Sequence, residues 1–330
     1  MIATGVGSMP GADAAAYDEA VRLVFGELPD LPHLPELPGR GPAADLAGRA
    51  LSVVAELGAD LQPAGWRLTD AAGIDQRRAR SLLAQDLDAF EERAQGYAGP
   101  VKVQVAGPWT LAATVERPRG DRVLGDVGAR RDLAQALAEG LRAHLADLRR
   151  RVGGFTELVV QLDEPALPAV LGGRVPTASG FHRHRTVAPS QAREALGWAC
   201  SAILEEGAVP VVHCCAADVP VRLLREAGAR GVSVDLGLLG ATGHDQLAEA
   251  LEAGERVLLG VVPAVDPPSP PSRSGVTERV LRWLDLIGLD PDAVGDRLVL
   301  TPACGLAGAS PAWARTALDL VRAAAAQAGS

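Results

Sequence analysis

Short apolar runs alternate with long amphipathic stretches along the whole chain, and this alternation restricts the possible folds more than any other feature. About eight strand–helix pairs can be counted in 330 residues, and no shift in composition marks a second domain. Buried strands that alternate with helices pair in parallel, and eight of them favour a closed (β/α)8 barrel over an open doubly wound sheet. The nucleotide-binding motifs GxGxxG and GxxxxGK[ST] are absent. We therefore predict an α/β fold in which residues 1–330 form a single-domain TIM barrel.

The positions of the predicted elements follow from apolar runs and from the helical spacing of apolar residues. We predict strands at residues 2–6, 31–37, 101–106, 157–162, 209–212, 232–234, 257–262 and 298–300. We predict helices at residues 14–25, 43–57, 78–95, 130–151, 190–206, 219–227, 245–253, 277–286 and 311–325. Asp13 is placed to cap the first helix. The segment 31–37 is rich in proline, and we predict a strand there because the barrel needs a second strand at that point.

Charge and cysteine content exclude several classes of protein. The net charge of −9 and the pI near 5.2 argue against a nucleic-acid-binding surface and against an acidic membrane surface as partner. The first residues do not have the pattern of a signal peptide, and no run of 18 apolar residues predicts a membrane span. Four cysteines do not make a disulfide framework in a chain of this size. We expect a cytoplasmic enzyme with a metal site or a catalytic thiol.

The stretch VPVVHCCAAD at residues 209–218 combines a buried strand with metal-binding residue types. Residues two apart on a strand share a face, so His213 and Cys215 point the same way and Cys214 points the opposite way. An imidazole and a thiol at the end of a buried strand can form half of a zinc site. For the other half, Cys304 in LTPACGLAG is a better candidate than Cys200, which lies in a helical pattern.

Polar and metal-capable residues follow the predicted strands, at the end of the barrel where such folds have their active sites. The residues that follow the strands are Ser8, Glu36, Gly107, Pro108, Asp163, Glu164, His213, Cys215, Asp235 and Cys304, and all but Gly107 and Pro108 have side chains of this kind. Two thiolates and an imidazole, with Asp235 as a possible fourth ligand, favour Zn²⁺ over magnesium or calcium. Asp163 and Glu164 would accept hydrogen bonds from a substrate amine or act as acid/base groups.

Each of these residues also has a purely structural interpretation, which the sequence leaves open. A buried cysteine often behaves as a small hydrophobic residue. Asp235 can cap the helix that follows it, and the pair Asp163-Glu164 can be the acidic start of a helix. Glu36 can be a solvated loop carboxylate, and Ser8 can serve only to order the turn after the first strand.

Five short motifs, in order and with fitting spacing, resemble the C-terminal catalytic barrel of cobalamin-independent methionine synthase. They are GVGSMPG at 5–11, AGPWTL at 106–111, VVQLDEPAL at 159–167, VVHCCAAD at 211–218 and TPACGLAG at 301–308. VVQLDEPAL, which is similar to the family's IQIDEPAL, is the most specific of them. The resemblance implies a barrel of the uroporphyrinogen-decarboxylase and methionine-synthase type.

The resemblance also implies roles for individual residues. His213, Cys215 and Cys304 would be zinc ligands, and Asp235 stands where the family has a glutamate as its remaining ligand. Ser8 and Asp163 would hold the amino-acid part of homocysteine. Glu36 is the candidate for the family's other amine-binding carboxylate. Glu164, which follows Asp163 in the sequence, is a further candidate for substrate binding. The implied reaction is methyl transfer to the homocysteine thiolate on zinc, which gives methionine.

Two departures from the family's pattern bear on the methyl donor. The family has a histidine after its seventh strand, whereas the segment GVVPAVDPP has Val265 at about that place. The sequence also does not include the family's large N-terminal folate-binding barrel. The donor is therefore left open between methyltetrahydrofolate and a methyl group bound to the corrinoid of a corrinoid protein.

Two alternative functions stay open. One is a methylcobalamin:thiol methyltransferase of the same superfamily, and the other is a catalytically silent paralogue that binds methionine or a thiol. A porphyrinogen decarboxylase is disfavoured, because that reaction needs no thiol pair.

Overall fold

Strands and helices alternate through residues 1–329, the part of the chain that the computed structural model describes. The strands are β1 (Ile2–Ala3), β2 (Gly58–Gln62), β3 (Gly65–Thr69), β4 (Val101–Ala106), β5 (Leu158–Asp163), β6 (Val209–Cys214), β7 (Gly231–Asp235), β8 (Arg256–Val262) and β9 (Leu298–Pro302). The helices are α1 (Ala14–Glu27), α2 (Leu46–Val53), α3 (Ile74–Ala94), α4 (Pro108–Thr114), α5 (Val127–Arg151), α6 (Leu167–Leu171), α7 (Pro189–Glu205), α8 (Val221–Glu226), α9 (Ala241–Glu252), α10 (Arg273–Ile287), α11 (Pro291–Val294) and α12 (Pro311–Ala328). Asp13 caps α1 as predicted, since its carboxylate accepts a hydrogen bond from the Ala16 amide at 2.8 Å.

Seven of the strands form one curled parallel sheet in the order β1-β9-β8-β7-β6-β5-β4. Both edge strands, β1 and β4, lie beside residues 31–37 of the chain. This arrangement confirms the predicted α/β barrel and places the carboxyl ends of all seven strands at one face. The strands β2 and β3 form a separate antiparallel hairpin, which the sequence did not predict.

Residues 31–37 occupy the position predicted for the second barrel strand, but they pair only at isolated points. Ser8 pairs with Glu36 on one side, and His33 pairs with Lys102 of β4 on the other. The Leu34 amide donates to the Lys102 carbonyl at 2.9 Å, and the Glu36 amide donates to the Gly7 carbonyl at 3.1 Å. Every third residue here is proline, which has no N–H to donate, so a continuous ladder cannot form. The segment therefore closes the barrel with fewer hydrogen bonds than a regular strand would make.

The interior of the barrel is divided into an apolar floor and a polar upper part. The floor is a cluster separate from the main core, made of Leu31, Val159, Val211, Leu258 and Val299. Because side chains alternate along a strand, the residues two positions further on face the same interior and lie nearer the carboxyl ends. They include Gln161, His213 and Thr301, all buried. The opposite faces of the strands pack against the helices in the main hydrophobic core.

The predicted helices differ from the observed ones mainly at their ends. The helix predicted at residues 43–57 extends only over Leu46–Val53, with Asp45 as its cap, and the one predicted from residue 78 already begins at Ile74. No helix among residues 1–329 is both long enough and apolar enough to cross a bilayer.

Candidate active site

His213, Cys215 and Cys304 converge at the carboxyl face of the barrel. His213 lies near the end of β6, Cys215 directly follows β6, and Cys304 follows β9. Their ligand atoms all lie within 4.8 Å of one another, and the Cys304 Sγ is 4.0 Å from the His213 Nε2. Two other strands, β7 and β8, separate β6 from β9 in the sheet, so the curvature of the barrel is what brings these side chains together.

The orientation of His213 is fixed by a residue that the sequence did not single out. The Oγ of Ser233 on β7 lies 2.8 Å from the Nδ1 of His213, and the two residues are register partners in the sheet. This contact leaves the Nε2 of His213 directed at Cys304. A ligating histidine commonly has its second nitrogen held in this way, which sets the tautomer and the ring angle. The polar residue at the inward position of GVSVD was the available signal.

The neighbouring thiols of Cys215 and Cys304 differ in their pKa values. The hydrogen bond from Cys215, together with His213, lowers the pKa of Cys304 to about 4. The same hydrogen bond and burial raise the pKa of Cys215 well above its usual range. The structure therefore places two sulfur atoms and one imidazole nitrogen around a common centre. This donor set fits Zn²⁺, which takes sulfur and nitrogen ligands and displaces the proton from a coordinated thiol.

Asp235, predicted as a possible fourth ligand, does not join this group. It ends β7, and its Oδ1 accepts a hydrogen bond from the Gly237 amide at 2.8 Å, which caps the short turn that follows. The carboxylate therefore binds a backbone amide two residues further along the chain and is not part of the group formed by His213, Cys215 and Cys304. Three protein ligands with an open fourth position are the usual arrangement of a catalytic zinc site, whereas four protein ligands are typical of a structural one.

Asp163 lies at the end of β5, beside the group of His213, Cys215 and Cys304. It is the register partner of His213, and its Oδ1 accepts a hydrogen bond from the Nε2 of Gln161 at 2.7 Å. Burial raises the pKa of Asp163 to about 7, against the opposing effects of His213 and Lys102. A nearly buried carboxylate of this kind is suited to receive a cationic group of a ligand.

Glu164 has a different position from its neighbour and a structural role. Its Oε1 accepts from the Trp109 amide at 2.9 Å, and its Oε2 accepts from the Thr110 amide at 2.7 Å and from the Thr110 hydroxyl at 2.8 Å. The side chain is 0% exposed and covers the start of α4. A Cβ on Gly107 would lie 2.3 Å from its Oε1, so the contact also needs that glycine. The structure thus gives Glu164 a capping role instead of the predicted substrate contact.

Glu36 is buried and paired, so it is not the solvated loop carboxylate of the alternative interpretation. Its Oε1 lies 3.2 Å from the Nε of Arg49 on α2, and both side chains are nearly inaccessible. Arg49 in turn contacts Asp86 of α3 at 2.5 Å, and Arg40 binds both carboxylate oxygens of Asp86. The Pro-rich segment 31–37 is therefore tied to two helices by charge as well as by backbone contacts.

Ser8 connects the two sides of the site through its backbone. It pairs with Glu36, and its carbonyl accepts a hydrogen bond from the Leu306 amide at 2.7 Å, two residues after Cys304. A Cβ on Gly305 would come within 2.1 Å of the Ser8 Oγ. The serine hydroxyl therefore lies directly against the loop that carries Cys304, which is consistent with the predicted place of Ser8 near a ligand.

Lys102 and Gln104 also face the interior on the side of Glu36 and Asp163, and the sequence reasoning did not assign them a role. The Nζ of Lys102 donates to the Val6 carbonyl at 2.8 Å and to the Oε1 of Gln104 at 3.3 Å. The Nε2 of Gln104 donates to the Leu34 carbonyl at 2.6 Å. The available signal was the alternation VKVQVA, in which a lysine and a glutamine share one face of a wholly buried strand.

Comparison with known proteins agrees with the geometry. Residues 90–327 match the family described as "Cobalamin-independent synthase, Catalytic domain", which is more than half of the chain. The chain belongs to this family. Membership confirms the resemblance that the short motifs indicated, and it supports a methyltransferase.

Solved structures show the same fold in relatives of low sequence identity. The chain is similar to a B12-independent methionine synthase from Shewanella sp. W3-18-1 in complex with selenomethionine, with 14% identity, a TM-score of 0.64, and coverage of 98% of this chain and 96% of the other. It is also similar to the exo-beta-1,4-mannosidase Op5Man5 from Opitutaceae bacterium strain TAV5, with 13% identity, a TM-score of 0.52, and coverage of 99% and 60%. No curated protein sequence matches this member of the cobalamin-independent synthase family.

Proposed function

We propose that this domain is a zinc-dependent methyltransferase that moves a methyl group to the thiol of homocysteine and gives methionine. The observation that carries the proposal is the convergence of His213, Cys215 and Cys304 at the barrel face, in a chain that belongs to the cobalamin-independent synthase family. Zn²⁺ held by these residues would lower the pKa of a bound substrate thiol and so favour the nucleophilic thiolate at neutral pH. The His213 imidazole and the two cysteines would hold the ion.

The remaining residues of the site would bind the amino-acid part of the substrate. Asp163 and Glu36 offer carboxylates to an ammonium group, and Ser8 lies between Glu36 and the loop of Cys304. In this arrangement the substrate thiol would point to the metal-ligating residues while its amine points to β5 and to residues 31–37. The similar Shewanella protein was solved with selenomethionine, an analogue of the proposed product, which supports an amino-acid ligand here.

The methyl donor is the part of the proposal that departs from the known family enzymes. Val265, in the loop after β8, occupies about the position at which the family has a histidine, and it is 55% exposed. An aliphatic side chain cannot protonate a departing group, so a donor whose leaving group needs no proton fits this chain best. We propose a corrinoid-bound methyl group ahead of methyltetrahydrofolate. The 5-methyltetrahydropteroyltriglutamate–homocysteine reaction is the second candidate, because the family match favours it.

The deciding experiment is a methyl-transfer assay with zinc-loaded protein and labelled donors. Methylcobalamin, a methylated corrinoid protein and 5-methyltetrahydrofolate with one or three glutamates would each be offered with homocysteine. 2-Mercaptoethanesulfonate and 2-mercaptoethanol are the competing thiols. Labelled methionine from at least one donor, with homocysteine preferred among the thiols, is the expected result.

Two other outcomes would change the assignment. A preference for a simple thiol over homocysteine would identify a methylcobalamin:thiol methyltransferase of the same barrel superfamily. Methionine binding without turnover, under every donor and with zinc present, would identify a catalytically silent paralogue. The Cys304→Ser variant serves as the control in each case, since it removes a metal ligand while Asp163 and Glu36 stay in place.

A further inference from the structure

Lys102 is the only lysine among the 32 lysine and arginine residues of the chain. It is 0% exposed, near the start of β4, whereas the other members of this set are arginines. A lysine carries a compact charge with three donors, and an arginine carries a planar fork, so the two are not interchangeable at a crowded site. Burying such a charge is costly unless opposite charges and hydrogen bonds compensate it. The position of this lysine therefore calls for an explanation.

The contacts of Lys102 lead directly to the proposed amino-acid subsite. The Val6 carbonyl accepts hydrogen bonds both from the Lys102 Nζ at 2.8 Å and from the Gln161 Nε2 at 2.9 Å. The same Gln161 Nε2 lies 2.7 Å from the Oδ1 of Asp163. One carbonyl and one amide group thus separate the ammonium of Lys102 from the carboxylate of Asp163. The Oε1 of Gln161 is buried and has no hydrogen bond within residues 1–329. It can therefore accept a hydrogen bond from a ligand bound beside the Asp163 carboxylate.

The ionisable groups around Lys102 are three acids and three bases, so their formal charges sum to zero when all six are ionised. The acidic members are Asp86, Glu36 and Asp163, and the basic members are Arg40, Arg49 and Lys102. Burial lowers the pKa of Lys102 to about 8, and the carboxylates of Asp163 and Glu36 oppose that shift, so the ammonium is largely charged at neutral pH. Without Lys102, the group would carry one unit of negative charge next to the ligand.

We propose that Lys102 sets the charge preference of the amino-acid subsite, so that the subsite takes a zwitterion in preference to a cationic amine or an anionic acid. It acts as a positioning residue beneath Asp163 and Glu36. This proposal rests on the proposed function, because it concerns the same amino-acid ligand. The physical reason is that a buried site of zero net charge gains nothing from a ligand with a net charge, whereas it can pair both ends of a zwitterion.

Three ligands of nearly equal shape test the preference without any turnover. Methionine is the zwitterion, 3-(methylsulfanyl)propylamine lacks the carboxylate, and 4-(methylsulfanyl)butanoate lacks the amine. Calorimetric titration of the zinc-loaded wild-type protein is expected to show methionine binding more tightly than either analogue. Binding of the amine at least as tightly as methionine would contradict the proposal.

The variants Lys102→Gln and Lys102→Met isolate the charge. Both remove it, and the glutamine can still donate a hydrogen bond to the Val6 carbonyl. In both variants the affinity ratio of the amine to the acid is expected to rise by about tenfold or more, because the site now carries an excess negative charge. A lysine that only stabilised the fold would lower the affinity for all three ligands alike. An unchanged ratio in a folded variant, with methionine still bound, would overturn the role of Lys102 and leave the proposed function intact.

The wild-type protein offers a second readout, which does not depend on a variant that folds. Selective ¹⁵N labelling of lysine marks a single side chain in this chain. The ammonium signal of Lys102 is expected to shift when methionine is added. If methionine at saturation leaves the signal where it was, Lys102 does not sense the ligand and the proposal is rejected. If the wild-type protein binds no methionine at all, the proposed function fails together with this inference.

Discussion

The two sides of the barrel mouth are built on opposite principles. On the side of β6, β7 and β9, His213, Cys215 and Cys304 face one another, and the contact between the two thiols lowers the pKa of Cys304. On the side of β4, β5 and residues 31–37, the carboxylates are buried among arginines and a lysine that neutralise them. In the proposed function a cation completes the first side, whereas the second side already contains charges of both signs.

We infer that the two sides have different functions, one in metal binding and the other in binding the amino-acid part of the ligand. A group of donors without a counterion binds a metal strongly, because the ion takes the place of a proton. In the proposal above, the set of opposite charges around Lys102 favours a zwitterion over ligands with a net charge. Substitutions of His213, Cys215 or Cys304 (the metal side) should therefore abolish binding of the ion. Substitutions among the charged residues near β4, β5 and residues 31–37 (the charged side) should have smaller effects, on stability or on ligand selectivity.

The largest effect is expected on the metal side. Cys304→Ser and His213→Ala should each reduce zinc from about one ion per chain to nearly none, with the barrel still folded. Zinc would be measured by mass spectrometry in protein purified without added metal, and folding by circular dichroism. Cys214→Ala is the matched control, since Cys214 lies between the two candidate ligands His213 and Cys215 in sequence but is fully buried outside their group. Full zinc content in the Cys304→Ser variant would refute the ligand assignment.

The next effect tests whether the charged side is balanced. Arg49→Met leaves Glu36 and Asp86 buried with fewer partners, so it should lower the free energy of unfolding by about 3–5 kcal/mol. Arg142→Met is the control, because Arg142 pairs with Glu205 at the surface and should change stability by about 1 kcal/mol or less. Urea unfolding measures both variants. Equal effects in the two variants would show that the buried network is not what stabilises residues 31–37.

A smaller effect separates two adjacent carboxylates. Asp163→Asn should weaken methionine binding by about tenfold or more and leave zinc in place, because it removes a charge that faces the ligand. Glu164→Gln should leave methionine binding unchanged and lower the free energy of unfolding by about 1–3 kcal/mol, because it disturbs the cap of α4. Calorimetric titration and urea unfolding of both variants check the split. A reversed pattern would mean that Glu164, and not Asp163, contacts the ligand.

The smallest effect concerns pH. Burial and the charge of Lys102 lower the pKa of His33 well below its ordinary value of 6.5. As the pH falls below about 6.5, the unfolded chain binds a proton at His33 and the folded chain does not, so the contribution of His33 to the free energy of unfolding decreases with decreasing pH. At pH 5.5 the loss should be about 1 kcal/mol. Urea unfolding at pH 7.5 and 5.5 measures this loss in the metal-free Cys304→Ser variant. The control is the same variant with His33→Gln added. An equal pH dependence of the two variants would show that His33 is not the source of the loss.

The sequence predicted the convergence of His213, Cys215 and Cys304 better than the charge network around Glu36, for a physical reason. His213, Cys215 and Cys304 end strands, and strand ends can be located from apolar runs and turn residues alone. The partners of Glu36 and Lys102 come from distant segments, and no local pattern shows which buried charges will meet. The capping roles of Glu164 and Asp235 depend on backbone amides that only the folded chain positions.

The fold itself was predicted more completely than its details. The barrel followed from alternation, which is a repeated signal along the whole chain. The boundaries of α2 and the hairpin of β2 and β3 were missed, because short polar segments carry weak periodicity and gain their structure from tertiary contacts. One such contact is the hydrogen bond from the Ala59 amide to the Oε1 of Gln76 on α3, at 3.0 Å.

The central claim is that a zinc ion held by one histidine and two cysteines binds the thiol of homocysteine. X-ray absorption at the zinc edge tests it most directly, on zinc-loaded protein with and without L-homocysteine. The account predicts two sulfur ligands in the free protein, from Cys215 and Cys304, and one additional sulfur after homocysteine is added. An unchanged sulfur count at saturating homocysteine, or a resting site without two sulfurs, would contradict it.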